Sequence, residues 1–288
     1  MIHEIPLERR TLHGHFSRDL PPVLTIDPGD TVVLETMESG WHLVPGTLFE
    51  PREPELDSGH ALCGPVEVRG ASAGQTLEVR IEDVRVGSWG ATVVGDHPLI
   101  WALDPVAGLA RNENGHEVEL APFPGVLGMP PPEPGRHSTI PPRRWGGNID
   151  CKELAAGATL LLPIPVDGAL FSAGDGHGRQ GDGEVCGTAI ECPLERLELM
   201  LDVREDLDLE TPLARTDEAW IAFGFDEDLD EAAAIATDAM LEVMGRALGL
   251  ERRDALALAS VVVDLRVTQV VNGVKGVHAM LRHDAIRI

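Results

Sequence analysis

Asp175 and His177 stand two residues apart in the run Gly174-Asp175-Gly176-His177-Gly178-Arg179-Gln180-Gly181-Asp182-Gly183-Glu184, and Asp182 and Glu184 repeat that spacing. In an extended chain alternate side chains leave on the same side, so each pair projects one way. A carboxylate beside an imidazole offers oxygen and nitrogen donors to a divalent cation. The five glycines of this run deny it a helix and let the backbone approach a ligand closely. After it, Val185–Glu191 reads as a strand that projects Glu191 from the same sheet. Upstream, Arg144-Trp145-Gly146-Gly147-Asn148-Ile149-Asp150 is a second polar, glycine-containing cluster, with Asn148 and Asp150 again two apart. Its bland alternative is an Asx turn that merely opens the next segment.

Two string matches fail on context. Gly176, Gly178 and Gly181 have the dinucleotide-binding spacing, but the residues that follow are not those of a helix. A calcium loop starting at Asp175 would place Arg179 and Gly181 at ligand positions and Cys186 where the closing acid belongs. A thiol route is also conceivable. Cys186 lies two residues from Glu184, and Lys152 is available for a Cys-Glu-Lys amidase arrangement. The competing reading is a small buried strand cysteine. Among the remaining candidates, His15 shares a strand face with His13 and is a candidate for substrate contact. Trp145 adjoins Asn148 and Asp150 and suits a pocket wall.

The elements that must hold these residues are mostly strands. Gly (31) and Pro (22) are abundant, which favours short strands and turns over a helical bundle. Val23–Ile26, a turn at Asp27–Asp30 and Thr31–Glu35 read as strand, turn, strand. A Gly-x-Thr turn ahead of an apolar run occurs at Gly29, Gly74 and Gly157, as a reused unit would. After Gly74, Leu77, Val79 and Ile81 alternate with Glu78, Arg80 and Glu82, the pattern of a half-buried strand. The prolines of 122–144 exclude helices and central strands there and predict a long functional loop. Leu229–Leu248 has helical spacing, acids in its first turn and Gly249 as its stop. A second helix starts near Glu251, strand follows over Val261–Val271, and Asn272-Gly273 makes a turn. The acidic stretch Asp202–Glu231 reads as a solvated face.

These segments resemble the acetamidase/formamidase family. The resemblance is carried by Gly146-Gly147-Asn148-Ile149-Asp150-Cys151-Lys152-Glu153-Leu154, by Gly168–His177, and by Gln180–Glu184 with Gly187–Glu191. Gly64–Ala71 is similar to the family's early turn, and Leu258–Val271 with Gln269 to its C-terminal segment. The resemblance implies a mainly β fold. We expect a sandwich- or barrel-like core of duplicated strand units over 1–200, with an α+β part over 201–288 packed on it. It also implies hydrolysis of small linear amides to carboxylate and ammonia, a bound divalent metal and an oligomer, a homodimer foremost. Zinc is the first choice, with calcium or magnesium as alternatives. On that reading Asp150, Asp175 and His177 hold the metal, and Glu184, Glu191 and Asp182 move protons. Asn148, Trp145 and His15 then contact substrate. Gly176 stands where a larger residue is expected, which implies a wider pocket. A binding protein of the same fold without turnover is the alternative.

Charge and cysteine content narrow the partners. The formal net charge of −25 repels phosphate backbones and anionic lipid, which excludes nucleic acid and membrane as partners and is compatible with a small neutral amide. Four cysteines with no CxxC pair argue against a disulfide framework, and the first residues lack a secretory signal, so a cytoplasmic location is expected.

Overall fold

In the computed structural model, which describes residues 1–287, the three Gly-x-Thr turns share one geometry and one destination. Gly29, Gly74 and Gly157 all have left-handed backbone, with φ of 83°, 91° and 94°, which costs a glycine nothing. Each turn releases the chain into a strand of the same nine-stranded sheet: Asp30–Thr36, Thr76–Val86 and Thr159–Pro163. That sheet also holds Ile2–Ile5 and Leu194–Arg204, and it continues through Leu213–Arg215, Ala219–Asp226, Lys275–Arg282 and Val263–Gln269. A second sheet of eleven strands includes Leu62–Val68, Trp89–Val94, Phe123–Gly128, Gly146–Asn148, Phe171–His177 and Glu191–Cys192.

The main core lies between inward faces of the two sheets. Leu77, Val79, Ile81, Leu197 and Leu199 from the first are buried in one cluster with Val66, Leu127, Phe171, Ala173 and Cys192 from the second. Burying a side chain of this size contributes about 1.5–3 kcal/mol. The alternation read over Leu77–Glu82 holds, and Glu78 on the opposite face is bound by Arg80 and Arg204.

Two helices cover the C-terminal end of the nine-stranded sheet. The first, α1, is Leu229–Leu248, and the second, α2, is Arg252–Val262. Asp228 caps α1 by accepting from the Asp230 and Glu231 N–H groups, and Gly249 ends it at φ 67°. Ala232, Ala236, Met240 and Met244 form its buried stripe. The approach is close: a Cβ on Gly224 would lie 2.0 Å from the Ala232 carbonyl oxygen, so only glycine fits the strand there. No helix among the described residues is long and apolar enough to cross a membrane.

Several expectations are corrected. Leu24–Ile26, the turn and Asp30–Thr36 form the expected strand, turn, strand, but the two strands do not pair with each other. The first pairs with Leu62–Val68 and the second with Ile2–Ile5 and Leu194–Arg204, so the turn crosses between sheets. Phe123–Gly128 is a fully buried strand despite its proline. Pro124 lies beyond the reach of Gly146–Asn148, whose pairing begins at Val126, so its missing N–H costs that ladder nothing. Within the acidic 202–231 stretch, Leu213–Arg215 and Ala219–Asp226 are strands with buried residues. Val261 and Val262 end α2 instead of opening the next strand.

Candidate active site

Phe171–His177 is the strand on which the site is built. Phe123–Gly128 pairs along one edge. On the other edge Leu62–Val68 pairs with its first half, and Glu191–Cys192 with Gly176 and His177. This register sets His177 directly opposite Glu191. Asp175 and His177 project to one side, as their spacing requires, and the His177 Nε2 lies 3.4 Å from Asp175 Oδ2 and 3.3 Å from Glu191 Oε2. Gly176 faces the other way. A Cβ there would lie 2.5 Å from the Cys192 carbonyl oxygen and 2.5 Å from Leu194 Cγ, so this glycine relieves the core and does not widen a pocket.

Asp150 and Glu184 complete the cluster from loops. The five residues are all buried, and Glu184, at 6% exposure, is the least enclosed. Gly125 forms the floor. A Cβ there would lie 2.5 Å from Asp175 Oδ2 and 2.8 Å from both Asp150 Oδ1 and His177 Cε1. Its carbonyl accepts from the Ile149 and Asp150 N–H groups at 3.0 and 3.2 Å, which hangs the Asp150 loop on the strand. Asp150, Asp175 and Glu184 all have positive φ (54°, 59° and 44°). Non-glycine residues in this region cost of order 1–3 kcal/mol each and gather where function holds them.

Neighbouring polar groups hold the acids in place. Asp150 Oδ2 accepts from Gln269 Nε2 at 3.1 Å and Asn272 Nδ2 at 3.4 Å, and its carbonyl accepts from Gln180 Nε2 at 2.7 Å. Glu191 accepts from the Ala189 N–H at 2.8 Å and the Ser39 hydroxyl at 3.1 Å. The Phe123 ring meets the His177 imidazole edge-on, 4.9 Å between centroids.

Four carboxyl groups crowded around one imidazole cannot all be charged. Burial, reinforced by the Glu184 charge, pushes Asp150 well above the usual carboxylate range. Burial also raises Glu191, and lifts Glu184 to about 7 against the pull of His177. Burial disfavours charge on His177 and Asp175 too, but neighbouring charges outweigh it. Glu191 and Asp175 raise the imidazole, while His177 and then His60 hold the Asp175 carboxyl below its ordinary value. The crowding thus favours the neutral form of Asp150, Glu184 and Glu191, while Asp175 and His177 favour each other's charged form.

The residues fit a divalent cation. Asp150 Oδ1, His177 Nδ1 and Glu184 Oε2 are buried without a hydrogen-bond partner among the described residues. Asp150, His177 and Glu184 each offer a ligand atom within 4.8 Å of the others, and so do Asp175, His177 and Glu191. A buried polar atom left unpaired costs about 1–3 kcal/mol, so three in one place point to an occupant they share. Oxygen and imidazole donors suit zinc or a harder divalent ion. A cation would balance the carboxylate charge that burial and crowding disfavour here.

The structure separates the remaining candidates from this cluster. Asp182 faces solvent and pairs with Lys152. It does not share a side with Glu184, because Gly183 (φ 94°) and Glu184 break the extended alternation. Val185–Ile190 is irregular, and only Glu191–Cys192 is strand, yet Glu191 still reaches the site. Cys186 is exposed and turns toward the Thr188 carbonyl, so no Cys186–Glu184–Lys152 constellation forms. Asn148 is buried at the rim, and its carbonyl accepts from Gln269 Nε2 at 2.7 Å. Trp145 is half-buried under the Arg144 guanidinium, 5.9 Å from its ring centroid. His15 is buried with Nδ1 at 2.8 Å from the Leu56 carbonyl. Neither Trp145 nor His15 joins the five. Gly125 and Ser39 carry no local signal in the sequence; Asn272 reads there only as a turn residue, and Gln269 has no role there.

A model of the acetamidase/formamidase family matches residues 3–134 and 133–281, and the chain belongs to that family. It is 26% identical over 255 residues to an acetamidase of Mycolicibacterium smegmatis, covering 62% of this chain and 63% of that protein. The chain thus spans less than two thirds of the length of the curated relatives it matches. Among solved structures it is similar to an acetamidase from Bacillus halodurans, with a TM-score of 0.86 at 28% identity over 96% of this chain and 97% of that one. A predicted acetamidase/formamidase from Thermoanaerobacter tengcongensis gives a TM-score of 0.87 at 26% identity, over 98% and 96% of the two chains.

Proposed function

We propose that this protein hydrolyses small linear amides, of the formamide and acetamide type, to carboxylate and ammonia. The observation that carries the reading is the trio of buried, unpartnered atoms Asp150 Oδ1, His177 Nδ1 and Glu184 Oε2, in a chain of the acetamidase/formamidase family. An amide needs an activated water, stabilisation of the developing oxyanion and a proton for the departing amine. Asp150, His177 and Glu184 would hold a divalent cation, zinc foremost, which when bound acidifies water and polarises a carbonyl. This shifts Asp175 from the ligand set expected from spacing to a different task. With Glu191 it flanks His177 Nε2, which fixes the ring, while Nδ1 has no hydrogen-bond partner among the described residues.

Proton transfer falls to Glu184. In the ion-free site burial brings its carboxyl to about 7; beside a bound cation it would stand ionised, as a base for the water proton. It is also the least enclosed of the five, on a loop whose neighbour Val185 is exposed. Glu184 takes the proton of the attacking water and delivers it to the leaving nitrogen. A neutral amide enters this acidic site without the repulsion an anion would meet.

The deciding experiment measures ammonia release from formamide and acetamide, before and after chelation and in Asp150→Asn, His177→Ala and Glu184→Gln. Activity should fall at least about 100-fold in each variant, the scale of a lost proton-transfer group. Undiminished turnover in the folded His177→Ala protein would overturn the proposal.

A further inference from the structure

A second cluster of metal-ligating side chains lies apart from the five residues above. Cys151 and Glu153 follow Asp150 on its loop, and His278 comes from the strand Lys275–Arg282. Their ligand atoms all lie within 4.8 Å of one another. The Cys151 thiol donates to Glu153 Oε2 at 3.2 Å. The His278 Nε2 is 3.6 Å from that same oxygen, too far for a hydrogen bond. Its other nitrogen, Nδ1, is engaged by Thr268 Oγ1 at 2.8 Å.

The decisive feature is that Nε2. His278 is 0% exposed, and this atom has no hydrogen-bond partner among the described residues. It points at a thiol and a carboxylate oxygen. An ion-pair network alone accounts for Glu153, whose Oε1 is held by Arg266 at 3.0 Å and Lys152 at 3.3 Å. It does not account for an imidazole nitrogen left bare beside them. We propose that Cys151, Glu153 and His278 form a second cation site, selective for zinc-like ions. Thiolate and imidazole donors favour zinc or cobalt over magnesium and calcium, which prefer all-oxygen shells. The outer contacts suit such a site. Thr268 orients the imidazole, while Arg266 and Lys152 hold the far oxygen of Glu153 and leave Oε2 for the ion. Three protein ligands leave a fourth tetrahedral position for water. The cysteine must lose its proton to solvent as the ion binds.

Such an ion would clamp the Asp150 loop to the C-terminal hairpin that carries Gln269. Cobalt(II) distinguishes this site from the first one, because none of the five residues there is a thiol. The purified full-length protein is titrated with Co²⁺ and followed by near-ultraviolet absorption. A thiolate-to-cobalt charge-transfer band should grow to one equivalent, survive in Cys186→Ser, and vanish in Cys151→Ser and in His278→Gln. Zinc affinity at this site should fall more than about 100-fold in the same two variants, beyond the loss expected from outer contacts alone. No band in the folded wild-type protein, or a band that persists in Cys151→Ser, would overturn the proposal. The wild-type titration alone can overturn the proposal even where a variant fails to fold. Its outcome is independent of whether the protein hydrolyses amides.

Discussion

Gln269 Nε2 lies 3.1 Å from Asp150 Oδ2, a contact between residues 119 positions apart. The same amide donates to the Asn148 carbonyl at 2.7 Å, so one side chain ties down both ends of the Asn148–Asp150 segment. The Glu184 loop is anchored nearby, where Gly183 exchanges backbone hydrogen bonds with Thr268 and Val270. The C-terminal hairpin therefore positions two of the three residues proposed to hold the cation.

Gln269→Ala should accordingly cost activity without abolishing the fold. Groups that orient a ligand typically contribute 10- to 100-fold, so we expect a loss of about that size in ammonia release or metal affinity. An unchanged rate and an unchanged metal content would show that Asp150 does not depend on this contact.

Gly125→Ala tests the floor of the site. The added methyl would sit 2.5 Å from Asp175 Oδ2 and 2.8 Å from Asp150 Oδ1. Overpacking of this kind costs about 1–3 kcal/mol, small enough for the protein to stay folded at 25 °C. Turnover should drop by more than about 100-fold, because the methyl occupies the space between two of the acids. Urea unfolding and ammonia assays on one sample separate the two effects.

Asp182→Asn should do little. Its partner Lys152 and the pair itself are partly solvent-exposed, and such pairs contribute about 0–1 kcal/mol. Turnover within about threefold of wild type, on the scale where proton-transfer roles cost 100-fold or more, is the expected result. A loss comparable to that of Glu184→Gln would restore Asp182 to the chemistry.

The acid sensitivity of the fold has a definite sign at His13. Burial holds its pKa down to about 4, below the value near 6.5 of an unfolded chain. Above pH 6.5 neither state carries the proton. Between about 6.5 and 4 only the unfolded chain takes it up, so this residue removes stability as the pH falls, by about 1.4 kcal/mol per pH unit, and adds nothing further below 4. The raised site carboxyls act in the opposite direction, so the clean measurement is a difference. Urea unfolding of His13→Gln against wild type should show a shallower loss of stability between pH 6.5 and 4. Parallel curves would contradict the assignment.

What the sequence determined by itself is local. The two-residue spacing of Asp175 and His177 on one strand foretold that both side chains meet on one side, and they do, although Asp175 itself has a positive φ. Asp228 and Gly249 delimited α1 because capping and left-handed termination depend on a few adjacent residues. The Gly-x-Thr turns were legible for the same reason. Tertiary structure alone decided which acids meet. Asp182 and Glu184 share the spacing of Asp175 and His177, but positive φ at Gly183 and Glu184 sends one to solvent and the other into the cluster. His177 faces Glu191 through strand register, and Asp150 meets Gln269 through the docking of the C-terminal hairpin. Register and docking are set by how two sheets share a core, and no window of neighbouring residues contains that information.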